Sequence, residues 1–323
     1  MKRSFVLFLV LLIGGGMLFA GGGGQRGEAA ASEDFRFERA ITWIVPWAAG
    51  GTTDIQSRML ASLVEKELGT SIAVVNTVGG GGAVGFRTMI GARPDGYTVA
   101  SVTPSMVLYR YTGVGMQDLP YDAADWVAIF SSLESVFTVP TNSPFQNMAD
   151  LINFARANPE HVRISNSGIG AIWHAVAMAI EARTGVRFSH IPYEGGGPAA
   201  VAAAGGHVDV GACGVTEAFS LVQSGHLRIL GMSGTQRLPA LPNVPTFHEQ
   251  GIEGIFGTFL GVGVPKGYPP AARAMLERAI IDSINSDEWI NFAREGNISL
   301  NLIVGNEKDT FLSDLDRLFA QMF

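Results

Sequence analysis

Strand-like and helix-like segments alternate along most of the chain, and this alternation is the feature that most constrains the fold. The buried-strand run "AITWIVPW" (40–47) is followed by "DIQSRMLASLVEKELG" (54–69), where Ile55, Met59, Leu60 and Leu63 share one helical face and Gly69 ends the pattern. Similar units continue through "VRIS" and "AIWHAVAMAIEARTG", "FSHIPY" and "GPAAVAAAGG", and "VDVGAC" and "TEAFSLVQSG". Strands separated by helices of this length predict α/β architecture, with parallel sheets covered by helices on both faces.

The chain is long enough for two such units. It has 323 residues, of which 47% are hydrophobic and 16% charged, as is typical of a well-buried globular protein. Single cores stop growing at roughly 250 to 300 residues, so two lobes are predicted. After the strand "LRILGMSG" (227–234) the pattern changes to a proline-rich stretch and then to further helices.

The first twenty residues have the pattern of a secretory signal. Lys2 and Arg3 precede the apolar run 5–13, and small residues end the segment at Ala20. A membrane anchor is the alternative, but the run is far shorter than the ~20 residues that span a bilayer. We therefore predict a signal peptide at 1–20, a flexible leader at 21–35 and a periplasmic location.

The net charge limits the classes of partner, and the cysteine count limits the disulfides that can form. The formal net charge of −7 becomes −9 when Lys2 and Arg3 are removed with the signal, a balance that disfavours nucleic acid. Cys213 is the single cysteine, so no disulfide can form within the chain.

Several loops at the predicted strand ends are rich in small residues. Backbone N–H groups can approach a ligand closely there, and each helix start adds about half a positive charge, so such loops bind anions through local donors. The loops concerned are 48–53, 79–82, 166–170, 195–197 and 212–214.

The chain contains partial signals for three kinds of catalytic or cofactor site. Gly80, Gly82 and Gly85 fit the spacing of a dinucleotide-binding loop, but no acidic residue ends the next strand, "SVTPS". The six histidines show no i, i+4 pair, so neither a metal nor a cofactor is predicted. A secreted hydrolase using Ser167 with His174 or His190 remains open; the simpler interpretation of Ser167 is a hydroxyl donor at a helix start.

Read together, a series of motifs resembles the Bug-type extracytoplasmic solute receptors of tripartite tricarboxylate transporters. The motifs are "IVPWAAGGTTD", "GGGGAVG", "RPDGYT", "SNSGIGAIWH", "IPYEGGGPA", "GGHVDV", "SGHLRILGMSG" and "RLPALPNVPTFHEQG". The resemblance implies a two-lobed type II periplasmic-binding-protein fold and no chemical step. It also implies a small carboxylate as ligand, bound in the interlobe cleft and passed to membrane permease subunits. A sensor feeding a signalling partner stays a second alternative to transport, and a monomer is expected.

The resemblance assigns the cleft residues. One lobe is expected to comprise 36–133 plus 234–323, and the other 134–233. Two loops are expected to clamp one carboxylate. The first lobe contributes Trp47, Ala48, Gly50, Gly51, Thr52 and Asp54, with Gly81 and Gly82 alongside. The second lobe contributes Ser167, Gly168, Pro192, Tyr193, Gly195 and Gly197, and Cys213 is counted with them. For Asp54, a role at the helix start is an equal alternative to ligand contact, and Trp47 fits a pocket wall or a lobe core.

The chain departs from the family pattern at two places. Ala171, Ile172 and Trp173 stand where serines are common, and the acidic residue that is common near Cys213 is missing from "VDVGACGVT". These changes predict a distal pocket that is less polar than usual. The ligand's far end is then expected to be more apolar, or less amine-bearing, than an amino acid.

Overall fold

A computed structural model describes residues 35–112 and 122–322; the predicted signal segment and all but the last residue of the predicted leader lie outside the described residues. Eleven strands are found in this part of the chain: β1 (Ile41–Val45), β2 (Ile72–Asn76), β3 (Thr98–Val102), β4 (Ala124–Leu133), β5 (Ser135–Pro140), β6 (Arg163–Asn166), β7 (Ser189–Pro192), β8 (Val210–Gly214), β9 (Leu227–Met232), β10 (Thr258–Pro265) and β11 (Ser299–Val304).

Ten α-helices connect these strands within the same residues: α1 (Thr52–Leu68), α2 (Ala83–Ile90), α3 (Ser105–Thr112), α4 (Met148–Ala157), α5 (Ile172–Thr184), α6 (Gly196–Ala204), α7 (Val215–Gln223), α8 (Pro270–Ile284), α9 (Asp287–Glu295) and α10 (Gly305–Met322). None of the helices described is both long enough and apolar enough to cross a bilayer.

The strands form two sheets, and each sheet belongs to one lobe. The first sheet has the order β11-β4-β10-β3-β1-β2, and the second has the order β7-β6-β8-β5-β9. Strands β1, β2 and β3 pair in parallel, as do β6, β7 and β8, whereas β10 and β5 run antiparallel to both of their neighbours. The predicted α/β architecture is confirmed, with mixed rather than wholly parallel sheets.

Packing of α1 shows why the first β-loop-α unit folds as it does. Leu60, Leu63 and Val64 are buried and join a core cluster with Trp43 of β1 and Leu276 of α8. Gly69 ends the helix in the left-handed region (φ 62°), which glycine adopts without a steric penalty. The unit is thereby fixed with the N-terminal end of α1 at the carboxyl edge of the sheet.

The two lobes are joined by adjacent strands. The chain leaves the first sheet at Leu133 and enters the second at Ser135, and it returns at Thr258, which pairs with Leu133. Ser135 Oγ donates to Phe256 O at 2.8 Å, which ties the two crossings together. We call residues 133–135 and 256–258 the hinge.

The segment after β9 belongs with the second sheet, whereas the sequence assigned it to the first lobe with the rest of 234–323. Thr246 forms a bridge with Met232, and Gln250 Nε2 donates to Leu230 O at 3.0 Å. Phe247 is buried and stacks edge to face on Phe137 of β5. The proline-rich stretch therefore covers the second sheet before the chain returns through the hinge.

Phe35, placed by the sequence at the end of the flexible leader, packs on the first lobe. Its ring lies 5.0 Å from Phe37 and 6.2 Å from Tyr97, centroid to centroid. The packed part of the chain thus includes this residue.

Candidate functional site

A small cavity lies between the lobes where the loops after the parallel strands meet. About 30 Å³ is open there to the centres of water-sized molecules, room for about two waters. It is lined by Trp47, Gly51, Thr52, Thr53, Thr103, Ser167, Ile172, Trp173, Gly195, Gly196, Glu217, Thr258 and Leu260. Ligands of α/β proteins bind at this edge of a sheet, at the carboxyl ends of the strands.

Helix starts from both lobes converge on the cavity. First-turn residues of α1, α5, α6 and α7 are among its lining: Thr52, Ile172, Gly196 and Glu217. The unpaired N–H groups of a helix start carry partial positive charge, and several starts facing one point reinforce one another. The geometry therefore favours an anionic group in the cavity.

Two buried donors in the lining are without a hydrogen-bond partner among the described residues. Trp47 Nε1 comes from the first lobe and Ser167 Oγ from the second, and their residues are 6% and 3% exposed. A buried donor left unpaired costs about 1–3 kcal/mol. A ligand acceptor placed between these two atoms would remove that cost on both sides of the cleft.

Asp54 does not line the cavity; its carboxylate holds the first loop in place through hydrogen bonds. Its carboxylate accepts from Gly50 N–H at 3.0 Å, Arg58 Nε at 2.9 Å and Asn76 Nδ2 at 2.8 Å. Burial alone would raise the pKa of Asp54, but these hydrogen bonds outweigh it, and the pKa is lowered. The structure thus matches the helix-start alternative for this residue.

The glycine run 79–82 serves close packing against the first loop. A Cβ on Gly82 would lie 2.8 Å from the Trp47 ring, and one on Gly85 would lie 2.8 Å from Pro46 Cα. The Tyr109 hydroxyl donates to Gly81 O and holds the turn in place. The spacing that resembled a dinucleotide loop is explained by this contact with Trp47 and Pro46.

The second-lobe loop is shaped by Asn166. Its side-chain oxygen accepts from Gly168 N–H at 3.0 Å, and its backbone oxygen accepts from Tyr193 N–H at 3.0 Å. Gly168 takes a φ of +111°, where a side chain would be strained. This turn directs Ser167 into the cavity.

The facing loops contact each other across the cleft. Ala48 N–H donates to Glu194 O at 2.8 Å, and Thr52 N–H donates to Glu217 Oε1 at 3.3 Å. A Cβ on Gly168 would lie 2.5 Å from Gly81 Cα. The two loops can approach so closely because neither Gly81 nor Gly168 has a side chain.

Apart from Cys213, the residues expected in the cleft fall into four sets. Trp47, Gly51, Thr52, Ser167 and Gly195 line the cavity. Ala48, Gly81, Gly168 and Gly197 form the contacts between the loops, and Gly50, Gly82 and Asp54 support the first loop. Pro192 and Tyr193 lie behind the second loop, where Pro192 is exposed.

Cys213 does not reach the cavity. It is 0% exposed in the second-lobe core cluster beside Val136 and Ala200, because its side chain points into the sheet's helix-covered face. Burial, together with the nearby Glu217 carboxylate, raises the pKa of the thiol well above its ordinary value. The residue fills space in the core.

Glu217 is the main lining residue that the sequence analysis missed. The loss of an acidic residue near Cys213 was expected from sequence, but the structure supplies a carboxylate from the first turn of α7, four residues after Cys213. The distal pocket is therefore less apolar than expected. The other unforeseen lining residues are Thr53, Thr103, Ile172, Trp173, Gly196, Thr258 and Leu260. An acidic residue in the first turn after a glycine-rich strand end is the signal that could have indicated Glu217.

The Glu217 carboxylate is held by donors from both lobes. Oε2 accepts from Gly214 N–H at 2.7 Å and Oε1 from Thr52 N–H at 3.3 Å, and the Trp173 and Thr52 side chains donate as well. Burial raises the pKa of Glu217 to about 6, against the opposing effect of these hydrogen bonds. The charged form is therefore disfavoured relative to a solvated glutamate.

This shift predicts a pH-dependent contribution to stability. The unfolded chain loses the Glu217 proton near the ordinary pKa of 4.5 and the folded chain near 6, so stability falls as pH rises between these values. We expect the free energy of unfolding of the wild type, relative to Glu217→Gln, to fall by about 2 kcal/mol from pH 4 to pH 7. Denaturant titrations across this range measure it. The exposed Glu67→Gln is the control, and a difference independent of pH would contradict the assignment.

The possible Ser167 hydrolase is not supported. Ser167 Oγ has no hydrogen-bond partner in the described part of the chain, while His174 Nδ1 accepts from Gly170 N–H at 3.2 Å. Burial, and then the His190 ring packed 4.7 Å away, lowers the pKa of His174 to about 4. His190 Nε2 lies 3.3 Å from Glu181. Across residues 35–112 and 122–322, no group of three or more His, Cys, Asp or Glu is placed to hold a metal.

The fold and the cleft define a class: a two-lobed α/β solute-binding protein. The solved structure of the periplasmic binding protein BugD is similar, with a TM-score of 0.83 and 25% identity, covering 88% of this chain and 97% of BugD. Rpa4515 of R. palustris, solved with adipate, has a TM-score of 0.81 and 25% identity over 88% of this chain and 96% of that one. The predicted periplasmic-binding-protein fold is confirmed.

Sequence comparison gives the family. Residues 56–314 match the tripartite tricarboxylate transporter family receptor, and the chain belongs to this family. BugT of Bordetella pertussis is 30% identical over 273 residues, 83% of each chain, and a UPF0065 protein of Cupriavidus necator is 33% identical over 243 residues, 75% of this chain and 73% of that one. The protein is thus a solute receptor and not an enzyme, as the resemblance implied.

Proposed function

We propose that the receptor binds a small carboxylate between its lobes and delivers it to the membrane subunits of a tripartite tricarboxylate transporter. One observation carries this proposal: Trp47 and Ser167, one from each lobe, line a cavity at which four helix starts converge, and each has a buried donor, Nε1 and Oγ, without a partner among the described residues. A carboxylate has two oxygens and negative charge, so it can pair with both donors and with the helix starts. The family and the adipate bound to Rpa4515 support the same ligand class.

Closure of the lobes would couple binding to delivery. Residues 133–135 and 256–258 are the points where the chain crosses, so we propose that the first lobe (36–133 and 258–323) and the second lobe (134–257) move about them. A ligand that bridges Trp47 and Ser167 stabilises the closed form because it contacts both lobes. The permease subunits would then select the closed form. The site lies within one chain, and we propose a monomer.

We further propose that residues 1–20 direct export and are removed. The positive residues Lys2 and Arg3, the apolar run and the small residues before position 21 support this. The location agrees with the periplasmic receptors of the family.

Replacing Ser167 by alanine tests the proposed site. Calorimetry with succinate, adipate, butanoate, hexanoate, aspartate and glutamate, and with glucose as a neutral solute, identifies which of them bind to the wild type. Ser167→Ala is expected to weaken the tightest carboxylate by about 1–3 kcal/mol, because one donor to a charged acceptor is lost. Ser62→Ala on the exposed face of α1 is the matched control and is expected to leave affinity unchanged. Binding of glucose alone, or equal affinity in both variants, would contradict the proposal.

A further inference from the structure

A second, apolar groove adjoins the ligand cavity. It offers about 170 Å³ in the same measure in which the cavity offers about 30 Å³. Its apolar lining comes from Ile55 of α1, Phe219 of α7, Phe292 of α9 and Ile298. Like the cavity, the groove is bounded by both lobes.

Thr52 and Glu217 line both spaces, so these two residues form the wall between them. Thr52 N–H donates to Glu217 Oε1 at 3.3 Å, a long and therefore weak hydrogen bond, and the Thr52 hydroxyl pairs with that of Thr216. The wall consists of polar contacts between lobes that are joined covalently only at the hinge. It is therefore a place where the cavity can enlarge without disturbing the core of either lobe.

Exposure of Ile55 is unusual for its position. The helical pattern puts it on the apolar face of α1 with Met59 and Leu63, yet it is 49% exposed and borders the groove. Burial of an apolar side chain is favourable in proportion to the apolar area removed from water. A ligand tail lying along Ile55 would gain from such burial.

Charge limits what such a tail can carry. Of the residues that the structure describes, Glu217 is the one charged residue bounding the groove, and no lysine or arginine among them lines either space. A second ligand carboxylate passing Glu217 would meet a like charge away from bulk water, as the first does in the cavity, where pairing with Trp47 Nε1 and Ser167 Oγ offsets the repulsion. An ammonium group could not donate to Glu217 without displacing another donor, because the roughly four acceptor positions of the carboxylate are taken by the Gly214 and Thr52 N–H groups and the Trp173 and Thr52 side chains.

We propose that the groove is part of the ligand site and takes the uncharged, apolar tail of a monocarboxylate whose carboxylate lies between Trp47 and Ser167, with the tail passing between Thr52 and Glu217. This inference rests on the proposed function and adds the ligand class: medium-chain or aryl-bearing monocarboxylates rather than dicarboxylates or amino acids.

Calorimetry with two matched series tests the proposal: straight-chain monocarboxylates from butanoate to decanoate, and the α,ω-dicarboxylates of equal length. Once the chain passes Thr52, monocarboxylate affinity is expected to rise roughly fourfold per methylene. Each dicarboxylate that reaches the groove is expected to bind at least about tenfold more weakly than its partner, an effect of about 1.4 kcal/mol. An affinity independent of chain length, or tighter binding of the dicarboxylate series or of aspartate, would overturn the proposal.

A variant pair locates the effect in the groove. Ile55→Ser is expected to lower octanoate affinity about fivefold or more and to leave butanoate affinity unchanged. Leu318→Ser on α10, 47% exposed in the wild type, is the matched control and should change neither. Equal octanoate affinity in the two variants would overturn the groove assignment. If no carboxylate of either series binds, the proposed function itself fails; if butanoate binds as tightly as octanoate, the groove alone is rejected.

Discussion

Gly168→Ala is expected to abolish carboxylate binding, with a loss of affinity of at least about a hundredfold. The new Cβ would lie 2.5 Å from Gly81 Cα and 3.0 Å from Gly81 N, both backbone atoms of the facing loop. Backbone cannot rotate away as a flexible side chain can, so the loops must separate. Separation withdraws Ser167 from Trp47, and a carboxylate can no longer reach both donors. Calorimetry with the tightest ligand of the carboxylate panel measures the loss.

Gly185→Ala provides a control at another positive φ but without a clash. Gly185 ends α5 with a φ of +71°, and an added Cβ meets no atom within 4 Å. Gly185→Ala is expected to lose about 1 kcal/mol of unfolding free energy, and Gly168→Ala at least as much, since both force alanine to a positive φ. Binding should be lost in Gly168→Ala alone. Retention of affinity within about threefold would show that the contact between Gly81 and Gly168 is not part of the liganded form.

Gly257→Ala is expected to impair both stability and binding. A Cβ at this hinge position would lie 2.1 Å from Leu133 O, where the return strand pairs with the strand that leaves the first lobe. Relief requires the two crossings to move apart, and overpacking of this kind typically costs about 1–3 kcal/mol. Because the crossings set the angle between the lobes, affinity for the panel carboxylate should also fall about tenfold or more.

The control for the hinge is Gly91→Ala, at the end of α2. Its backbone is right-handed, and the nearest atom to an added Cβ is Arg87 O at 3.2 Å. Denaturant unfolding and calorimetry of both variants measure the two effects, and Gly91→Ala should retain wild-type affinity. Equal affinity in Gly257→Ala would mean that the hinge tolerates a change in crossing geometry, contrary to the arrangement proposed for closure.

The parallel part of each sheet could be predicted from sequence because its signals are local. In the unit from Ile41 to Gly69, strand, helix face and terminating glycine stand within 30 residues of each other. Strands β10 and β11 were missed. β10 reads "TFLGVGVP" and is buried along its whole length, with its two glycines against Ala128 and Val102. A fully buried run has no alternation of apolar and polar residues, so the sequence does not distinguish it from a turn or a helix start. Its antiparallel pairing with β4 joins residues more than 120 positions apart, which no local pattern encodes.

The candidate site also has one part that local sequence signals predict and another part that they do not. Trp47, Thr52 and Ser167 were found because they lie in small-residue loops directly after strands. Glu217 was missed because an acid in a first helical turn has an ordinary explanation, favourable interaction with the helix dipole. Its place at the cavity depends on how the second lobe faces α1, and that is decided by the hinge and by packing across the cleft.

The second lobe is a single excursion of the chain. It departs and returns at Leu133 and Thr258, which are paired neighbours in one sheet, and the proline-rich stretch travels with it. Two junctions therefore suffice to transplant this lobe from one relative to another, and neither junction needs a linker, since the ends of the excised piece already lie side by side. Evolution can recombine the two halves of the binding site by the same route, with the Trp47 loop inherited from one parent and the Ser167 loop from another.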